Sequence, residues 1–239
     1  MEHHHPLVAK DEIMLVDKPA SISSFGVVAR VRRQLSEQAG TVMVKGKDGI
    51  MREKPRKIKV GHTGTLDPFA TGLLILLIGK GTKHANDFLK LDKEYIATIH
   101  LGATSTTGDP EGEITKLPEP KHLPNLEDVE HAVYSFVGQI QQRVPNFSAV
   151  KINGQRAYKL AREGKAVEMP VRTVMIYEIE ILDYQWPELQ IRCKVSSGTY
   201  IRTLGEDIGK ALGTGAYLTA LRRTQIDHYR VEDAVKIEK

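Results

Sequence analysis

Residues 60–72 have the sequence VGHTGTLDPFATG, and the apolar run LLILLI follows directly at residues 73–78. Glycines, threonines and a proline surround Asp67, and such turn-forming residues predict a tightly bent loop rather than a helix or a central strand. The apolar run predicts a buried strand that anchors this loop on the core. An aspartate before a proline is more often a turn residue than a catalyst, so spacing alone favours a structural role for Asp67.

The composition is typical of a globular protein. The 239 residues can bury one sizeable core, and 41% of them are hydrophobic against 27% charged. No run approaches the roughly 18 apolar residues of a membrane span, and no apolar signal region opens the chain, so we expect a cytoplasmic protein without membrane contact. The single cysteine, Cys193, excludes an intrachain disulfide and a cysteine-rich zinc site, and we predict that it is a small core residue.

Positive charge is concentrated in one segment. The net charge is +4, whereas residues 45–59 contain seven basic and two acidic residues, a local +5, so the rest of the chain sums to about −1. A basic cluster favours a polyanionic partner. Residues 36–59 carry glycine and charge without a clear period, and we predict a long exposed loop or ribbon that is either simply solvated or in contact with RNA.

Hydrophobic periodicity predicts mixed strands and helices. Ser23 or Ser24 is a candidate N-cap for a first helix, and Thr82 is a candidate cap for a second one that runs to Leu91. The remaining elements are predicted as strands at residues 13–16, 93–102, 138–144, 170–182 and 189–195, and as helices at residues 25–35, 126–136 and after 202. Because strands and helices do not alternate regularly, we predict an α+β fold, a mixed, largely antiparallel sheet with flanking helices, in one domain spanning residues 1–239.

Several motifs resemble those of one enzyme family. The sequence GHTGTLDP, followed by ATGLL, resembles the active-site motif of the TruB family of tRNA pseudouridine synthases. Tyr95 lies 28 positions after Asp67, and Leu221 lies 19 positions after Arg202, as the matching residues do in that family. Further matches are DKP at residues 17–19, TSTTGDPEG at 104–112, PNFSAVKINGQRAY at 145–158, GTYIR at 198–202 and LRRT at 221–224. The link at residues 36–59 is longer than usual in the family.

The resemblance implies the chemistry. The family isomerises uridine 55 in the T loop of tRNA without a metal or an organic cofactor, and its essential aspartate corresponds to Asp67, acting as nucleophile or as base. Tyr95 and Arg202 complete the predicted catalytic set. A buried aspartate needs a counter-charge, and Arg202 is the natural candidate because its guanidinium can bind a carboxylate through two hydrogen bonds. Without the resemblance of the GTYIR motif, Arg202 would be interpreted as an ordinary surface arginine at a helix start.

The resemblance also implies how RNA is bound. The predicted partner is the T stem-loop of tRNA, bound by a monomer that requires no protein partner. An RNA-clasping segment is expected near residues 142–166, and the chain length leaves no room for the C-terminal PUA domain found in many relatives. The predicted substrate-binding residues are His62, Leu221, Lys18, Lys151 and Tyr200. Two alternatives stay open: an RNA-binding or tRNA-folding protein on the same scaffold, and a pseudouridine synthase that acts on another RNA.

Overall fold

The computed structural model describes residues 13–148, 150–152, 154–164 and 168–237. The α-helices of this part of the chain are α1 (Ser24–Gln38), α2 (Ala85–Leu89), α3 (Leu126–Tyr134), α4 (Ala157–Arg162) and α5 (Ile201–Ala211). The strands are β1 (Ile13–Lys18), β2 (Thr41–Lys45), β3 (Met51–Pro55), β4 (Val60–His62), β5 (Thr71–Ile78), β6 (Lys93–Leu101), β7 (Ala103–Ser105), β8 (Ile114–Lys116), β9 (Gly138–Arg143), β10 (Lys151–Ile152), β11 (Gln155–Arg156), β12 (Val171–Gln185), β13 (Glu188–Val195), β14 (Ala216–Ile226), β15 (Tyr229–Arg230) and β16 (Val235–Lys236).

The chain divides into two compact units. The first unit comprises residues 1–89 and 228–239, and the second comprises residues 90–227. Among the strand pairs recorded for the described residues, all are antiparallel within each unit except that of β16, which runs parallel to β1. The predicted α+β class with a largely antiparallel sheet is therefore confirmed. No helix in the described ranges is long and apolar enough to span a membrane.

In the first unit, β5 is the apolar strand LLILLI predicted from the sequence. It pairs antiparallel with β1, where Met14 lies opposite Leu76, and with β4, where His62 lies opposite the same leucine. Residues 72–78 of β5 are all buried. Helix α1 begins after Ser23, whose side chain accepts a hydrogen bond from the Gly26 amide, as its role as an N-cap requires. The apolar face of the helix joins residues of β1, β4 and β5 in one buried cluster through Val27, Val28, Val31 and Leu35.

In the second unit, the strand order is β14-β6-β13-β12-β9. Strand β6 alternates strictly between buried and half-buried residues, as the predicted period of two requires. The same unit carries α5, which packs against β14, and two smaller hairpins, β7–β8 and β10–β11. Cys193, in β13, is completely buried, which confirms the prediction of a core cysteine.

Two local predictions need correction or refinement. The helix predicted from Thr82 to Leu91 is a 3-10 helix, Gly79–His84, followed by the short α2. The Thr82 hydroxyl donates to the Gly79 carbonyl oxygen at 2.8 Å, and Gly79 has a φ of +59°, so this stretch begins as a tight turn. Residues 41–55, for which a loop or a ribbon was predicted, form the antiparallel ribbon β2–β3.

Candidate active site

Asp67 lies in the tip of the hairpin formed by β4 and β5. The tip spans residues 63–70 and is closed by hydrogen bonds from the Thr63 amide to the Ile75 carbonyl oxygen and from the Ala70 amide to the Asp67 carbonyl oxygen, both at 3.1 Å. Gly64 has a φ of +142°, a conformation that favours glycine. The bent loop predicted from the sequence is therefore present, and Asp67 is half-buried within it.

Lys18 supports the residue that follows Asp67. Its side chain is fully buried, and its ammonium donates to the carbonyl oxygens of Ile22 at 2.7 Å, Pro19 at 2.9 Å and Pro68 at 3.2 Å. The Pro68 oxygen also accepts the Ser21 amide at 2.8 Å. In the structure its ammonium binds these main-chain oxygens and holds the loop in place, and the substrate contact that we predicted for Lys18 stays a prediction.

Ser24 supports the residue that precedes Asp67. Its hydroxyl donates to the Leu66 carbonyl oxygen at 2.9 Å and accepts the Leu66 amide at 2.8 Å, and the residue is buried. The sequence offered Ser24 only as a possible helix cap. Because Leu66 and Pro68 are both bound by buried side chains, the backbone on either side of Asp67 is held by the end of β1 and the start of α1. Such support preorganises a reactive group.

His62 ends β4, five residues before Asp67. It is half-buried, and its Nδ1 accepts the Gly64 amide at 3.4 Å, a long bond that supports the turn. The contact with RNA that we expect of His62 stays a prediction.

Tyr95 and Leu221 lie on one face of the sheet in the second unit. Tyr95, in β6, is opposite Arg223 of β14, and Leu221 is opposite Ala97, the next residue on the Tyr95 face. Direct cross-strand neighbours share a face, so the predicted aromatic floor and apolar wall for a base lie side by side. Each of the two side chains is 8% exposed. Arg223 is fully buried on the same face, and the sequence analysis quoted its LRRT motif without giving this arginine a role.

Arg202 lies in the first turn of α5 and forms a buried ion pair with Asp109. Its Nη1 donates to the Asp109 Oδ2 at 3.2 Å and to the Thr107 carbonyl oxygen at 2.7 Å, and its Nη2 donates to the Phe147 carbonyl oxygen at 2.8 Å. The two side chains are 6% and 4% exposed. The Asp109 Oδ1 in turn accepts the Thr107 hydroxyl at 2.6 Å and the Glu111 amide at 3.0 Å. A buried pair needs such additional hydrogen bonds to offset its desolvation.

Asp109 was missed as a partner of Arg202. The available signal was the TSTTGDPEG motif, in which threonine hydroxyls and an aspartate are spaced to bond one another. We predicted that Arg202 pairs with Asp67; the pair with Asp109 is observed, and the pair with Asp67 stays a prediction.

Helix α5 contacts the Tyr95 face, because a Cβ built on Gly205 approaches the Ile99 side chain to 3.6 Å and Ile99 shares that face. Arg202 therefore lies on the same side of this sheet as Tyr95.

Burial shifts two titratable groups near these residues. Burial is the main cause that raises the pKa of Glu206 above its ordinary value of 4.5, although the nearby charge of Arg202 opposes the shift. Burial and then the charge of Arg223 lower the pKa of Lys93 to about 8, against the opposing effect of Asp92. Lys93 lies two residues before Tyr95 on the same strand face.

The segment predicted to clasp RNA, residues 142–166, comprises the end of β9, the β10–β11 hairpin and α4. Its residues 149, 153, 165 and 166 lie outside the described ranges, and so does the Lys151 side chain. Tyr200 is joined to this segment by a pair of hydrogen bonds: its amide donates to Gln142 Oε1 at 2.8 Å, and its carbonyl oxygen accepts Gln142 Nε2 at 3.0 Å. Tyr200 also packs against the buried cluster of Val144, Ala157 and Met169. RNA binding by Lys151 and Tyr200 stays a prediction.

In the described part of the chain, no group of three or more histidine, cysteine, aspartate or glutamate side chains is arranged to hold a metal ion.

Two curated relatives are similar over nearly the whole chain. The chain is 44% identical over 227 residues to a protein of Phocaeicola vulgatus named tRNA pseudouridine synthase B, covering 95% of this chain and 90% of the relative. It is 42% identical over 242 residues to a protein of the same name from Parabacteroides distasonis, covering 95% and 97%. Among solved structures, a chain from a Cbf5-Nop10-Gar1 complex matches with a TM-score of 0.67 at 28% identity. The match covers 94% of this chain and 52% of the solved one, so this chain spans about half the length of that protein.

Two family models match adjoining parts of the chain. The model described as TruB family pseudouridylate synthase (N terminal domain) matches residues 51–201, and the one described as tRNA pseudouridylate synthase B C-terminal domain matches residues 202–239. The first model alone covers more than half of the sequence and includes Asp67, Tyr95 and the Asp109 loop. With these two models and relatives above 40% identity, the chain belongs to the TruB family of pseudouridylate synthases.

Proposed function

We propose that this chain is a tRNA pseudouridine synthase that isomerises uridine 55 in the T loop of tRNA. The observation that carries the proposal is the Asp67 loop: the GHTGTLDP motif lies in a hairpin tip whose backbone is bound on both sides of Asp67 by Lys18 and Ser24. A surface turn does not need a fully buried lysine and serine to support it, whereas a reactive carboxylate does need a defined position.

The reaction rearranges one nucleotide without changing its composition. The bond between N1 of uracil and C1′ of ribose breaks, the detached base turns, and a bond forms between C5 and C1′. The proton on C5 leaves, and N1 takes up a proton, so atoms and charge balance. We assign the key step to Asp67, whose carboxylate acts on the nucleotide either as a nucleophile or as a base toward the ribose.

We assign binding of the base to the sheet face that carries Tyr95 and Leu221. A uridine inside a folded loop must be turned out of its stack before an enzyme can act on it, and an aromatic ring beside an apolar side chain suits a flat base. The Tyr95 hydroxyl is our candidate for relaying the C5 proton: its oxygen accepts this proton while its own proton passes to N1 or to solvent. We keep Arg202, which Asp109 and two carbonyl oxygens hold in place, as the candidate counter-charge that the family resemblance implies for the reacting carboxylate.

The proposal is tested by incubating the purified protein with a T stem-loop RNA and mapping pseudouridine by carbodiimide modification and primer extension. We expect pseudouridine at the position of uridine 55. The Asp67→Asn variant should lose at least about a thousandfold in rate but bind the RNA within about tenfold, because it keeps the side-chain shape and removes the reactive charge. Wild-type turnover in this variant would contradict the assignment of Asp67.

The same experiment separates the two alternatives. An RNA-binding or tRNA-folding protein would bind the T stem-loop but form no pseudouridine in it. A pseudouridine synthase for another RNA would be inactive on this stem-loop and active on a total RNA pool, with the activity again lost in the Asp67→Asn variant.

A further inference from the structure

The segment between α1 and β4 forms an exposed two-stranded ribbon, which we call the basic ribbon and define as residues 41–59. In it, β2 pairs with β3 from Thr41 opposite Pro55 to Lys45 opposite Met51. Residues 43–45 and 47–57 are all exposed. The segment is therefore exposed to solvent, as the sequence predicted. Exposure alone does not say whether its positive charges bind a partner.

The two acidic residues of the ribbon are already engaged. Asp48 binds Arg52 through two hydrogen bonds, of 2.8 Å and 2.5 Å, and this contact lowers the pKa of the Asp48 carboxyl. Glu53 accepts a hydrogen bond from the Thr41 hydroxyl. None of the other six cations of the ribbon contacts a carboxylate in the described part of the chain; they are Lys45, Lys47, Lys54, Arg56, Lys57 and Lys59.

The ribbon is anchored beside the Asp67 hairpin. The Arg56 amide donates to the Gly40 carbonyl oxygen at 2.9 Å, and the Gly79 amide donates to the Lys59 carbonyl oxygen at 2.8 Å. Ile58 packs against the core cluster of the first unit, and the next residue but one, Val60, is buried and begins β4. The base of the ribbon is therefore joined directly to β4, the strand that leads into the Asp67 loop, and Lys59 is the residue before that strand.

We propose that the basic ribbon binds the phosphate backbone of the tRNA substrate. The identification of this RNA as tRNA rests on the proposed function. Lysines that no carboxylate neutralises are available to replace the counterions of phosphates, and such contacts give affinity without sequence specificity. The register places Lys45 on one face of the ribbon and Lys54 on the other, with Lys47 in the turn, as expected for an arm that lies along a charged groove. Met43 and Met51 are exposed on the Lys45 face, where a protein partner would bury them, but the surplus of charge favours RNA.

The test compares two variants with equal loss of charge. In the ribbon variant, Lys45, Lys47, Lys54 and Lys57 are changed to glutamine. In the control variant, four exposed lysines outside the ribbon, Lys90, Lys116, Lys121 and Lys236, are changed to glutamine. Binding to unmodified tRNA is measured over a series of salt concentrations, and thermal unfolding checks that each variant is folded.

For the ribbon variant we expect affinity to fall by roughly ten- to a hundredfold near physiological salt, and the slope of log affinity against log salt to become shallower by roughly 2 to 4. The rate of pseudouridine formation at saturating tRNA should stay at the wild-type value. The control variant should change the slope by less than half as much. Equal changes in both variants, which would show an effect of net charge alone, or an unchanged slope in the ribbon variant, which a protein-binding ribbon would give, overturn the inference.

The outcomes also separate this inference from the proposed function. If the wild-type protein makes pseudouridine and the ribbon variant binds tRNA normally, only the inference on the ribbon fails. If the wild-type protein makes none and the ribbon variant still loses affinity and slope, the proposed function fails while RNA binding by the ribbon stands.

Discussion

At the scale of single residues, the support of the Asp67 loop predicts a large effect of Lys18→Met. The substitution leaves the carbonyl oxygens of Pro19 and Ile22 without this donor, whereas the Pro68 oxygen keeps the Ser21 amide, and each unsatisfied group costs about 1–3 kcal/mol. We expect a loss of at least about 2 kcal/mol in urea unfolding and a fall of tenfold or more in turnover, with tRNA affinity nearly unchanged. Lys236→Met, at an exposed lysine of the same unit, is the control and should change neither. Full turnover in Lys18→Met would show that the loop does not depend on this residue.

Glu206 predicts a pH-dependent change in stability. Because burial raises the pKa of its carboxyl above 4.5 in the folded protein, the folded state binds this proton more tightly than the unfolded state does. The resulting cost to stability is absent below pH 4.5 and reaches its full size once the pH exceeds the raised pKa. Glu206→Gln should therefore stabilise the protein at pH 7 by up to about 1 kcal/mol, a modest figure because the residue is partly exposed, and should have little effect at pH 4.

Denaturant unfolding of Glu206→Gln and wild type at both pH values measures this difference. Glu130→Gln, at an exposed position of α3, serves as the comparison and should behave alike at the two pH values. A Glu206→Gln variant that is less stable than wild type at pH 7 would mean that the attraction to Arg202 outweighs the cost of burial.

At the scale of elements, the contact between α5 and β14 depends on two helical glycines. Alanine is normally preferred to glycine inside a helix by about 1 kcal/mol, so both substitutions would stabilise an isolated helix. A Cβ on Gly209 would lie 2.4 Å from the Ala216 Cβ and 2.5 Å from the backbone of residues 215 and 216, whereas on Gly205 the nearest obstacle is the end of the Leu218 side chain at 2.4 Å. A leucine side chain can move more easily than a backbone.

We therefore expect Gly209→Ala to destabilise the protein by about 2 kcal/mol or more and Gly205→Ala to cost clearly less. Urea unfolding curves of the two variants give the comparison. A larger loss for Gly205→Ala than for Gly209→Ala would mean that α5 shifts easily along β14.

At the scale of the whole molecule, Cys193 reports on opening of the second unit. It is the only cysteine of the chain, and it is completely buried in β13 between Ile179 of β12 and Tyr95 of β6. Burial, with a smaller effect of Glu94, raises the pKa of its thiol to about 12. A thiol reagent at pH 8 should therefore react with the native protein at least about a hundredfold more slowly than with the urea-unfolded protein. Labelling at the unfolded rate under native conditions would show that this sheet opens readily.

Much of the fold follows from patterns that are local in the sequence. The period of two in β6, the apolar run of β5 and the serine before α1 each act within a few residues, so the strands, the helix start and the α+β class were predictable. The segment after Ile78 was harder. Thr82 as a candidate cap predicted a regular helix there, but the segment starts as a 3-10 helix at Gly79, whose carbonyl oxygen accepts the Thr82 hydroxyl.

The sequence by itself determined the family and pointed to the Asp67 loop as the candidate site, because the GHTGTLDP and GTYIR motifs are continuous stretches that can be recognised without coordinates. Only the tertiary structure decided which groups support them. Lys18 binds a carbonyl oxygen 50 positions away, and Arg202 binds an aspartate 93 positions away. Such partners depend on which strands and loops become neighbours in the folded chain, and no local propensity encodes that choice. The sequence left Asp109 without a role and offered no supporting role for Lys18, whereas the structure shows Asp109 paired with Arg202 and Lys18 bound to the backbone of the Asp67 loop.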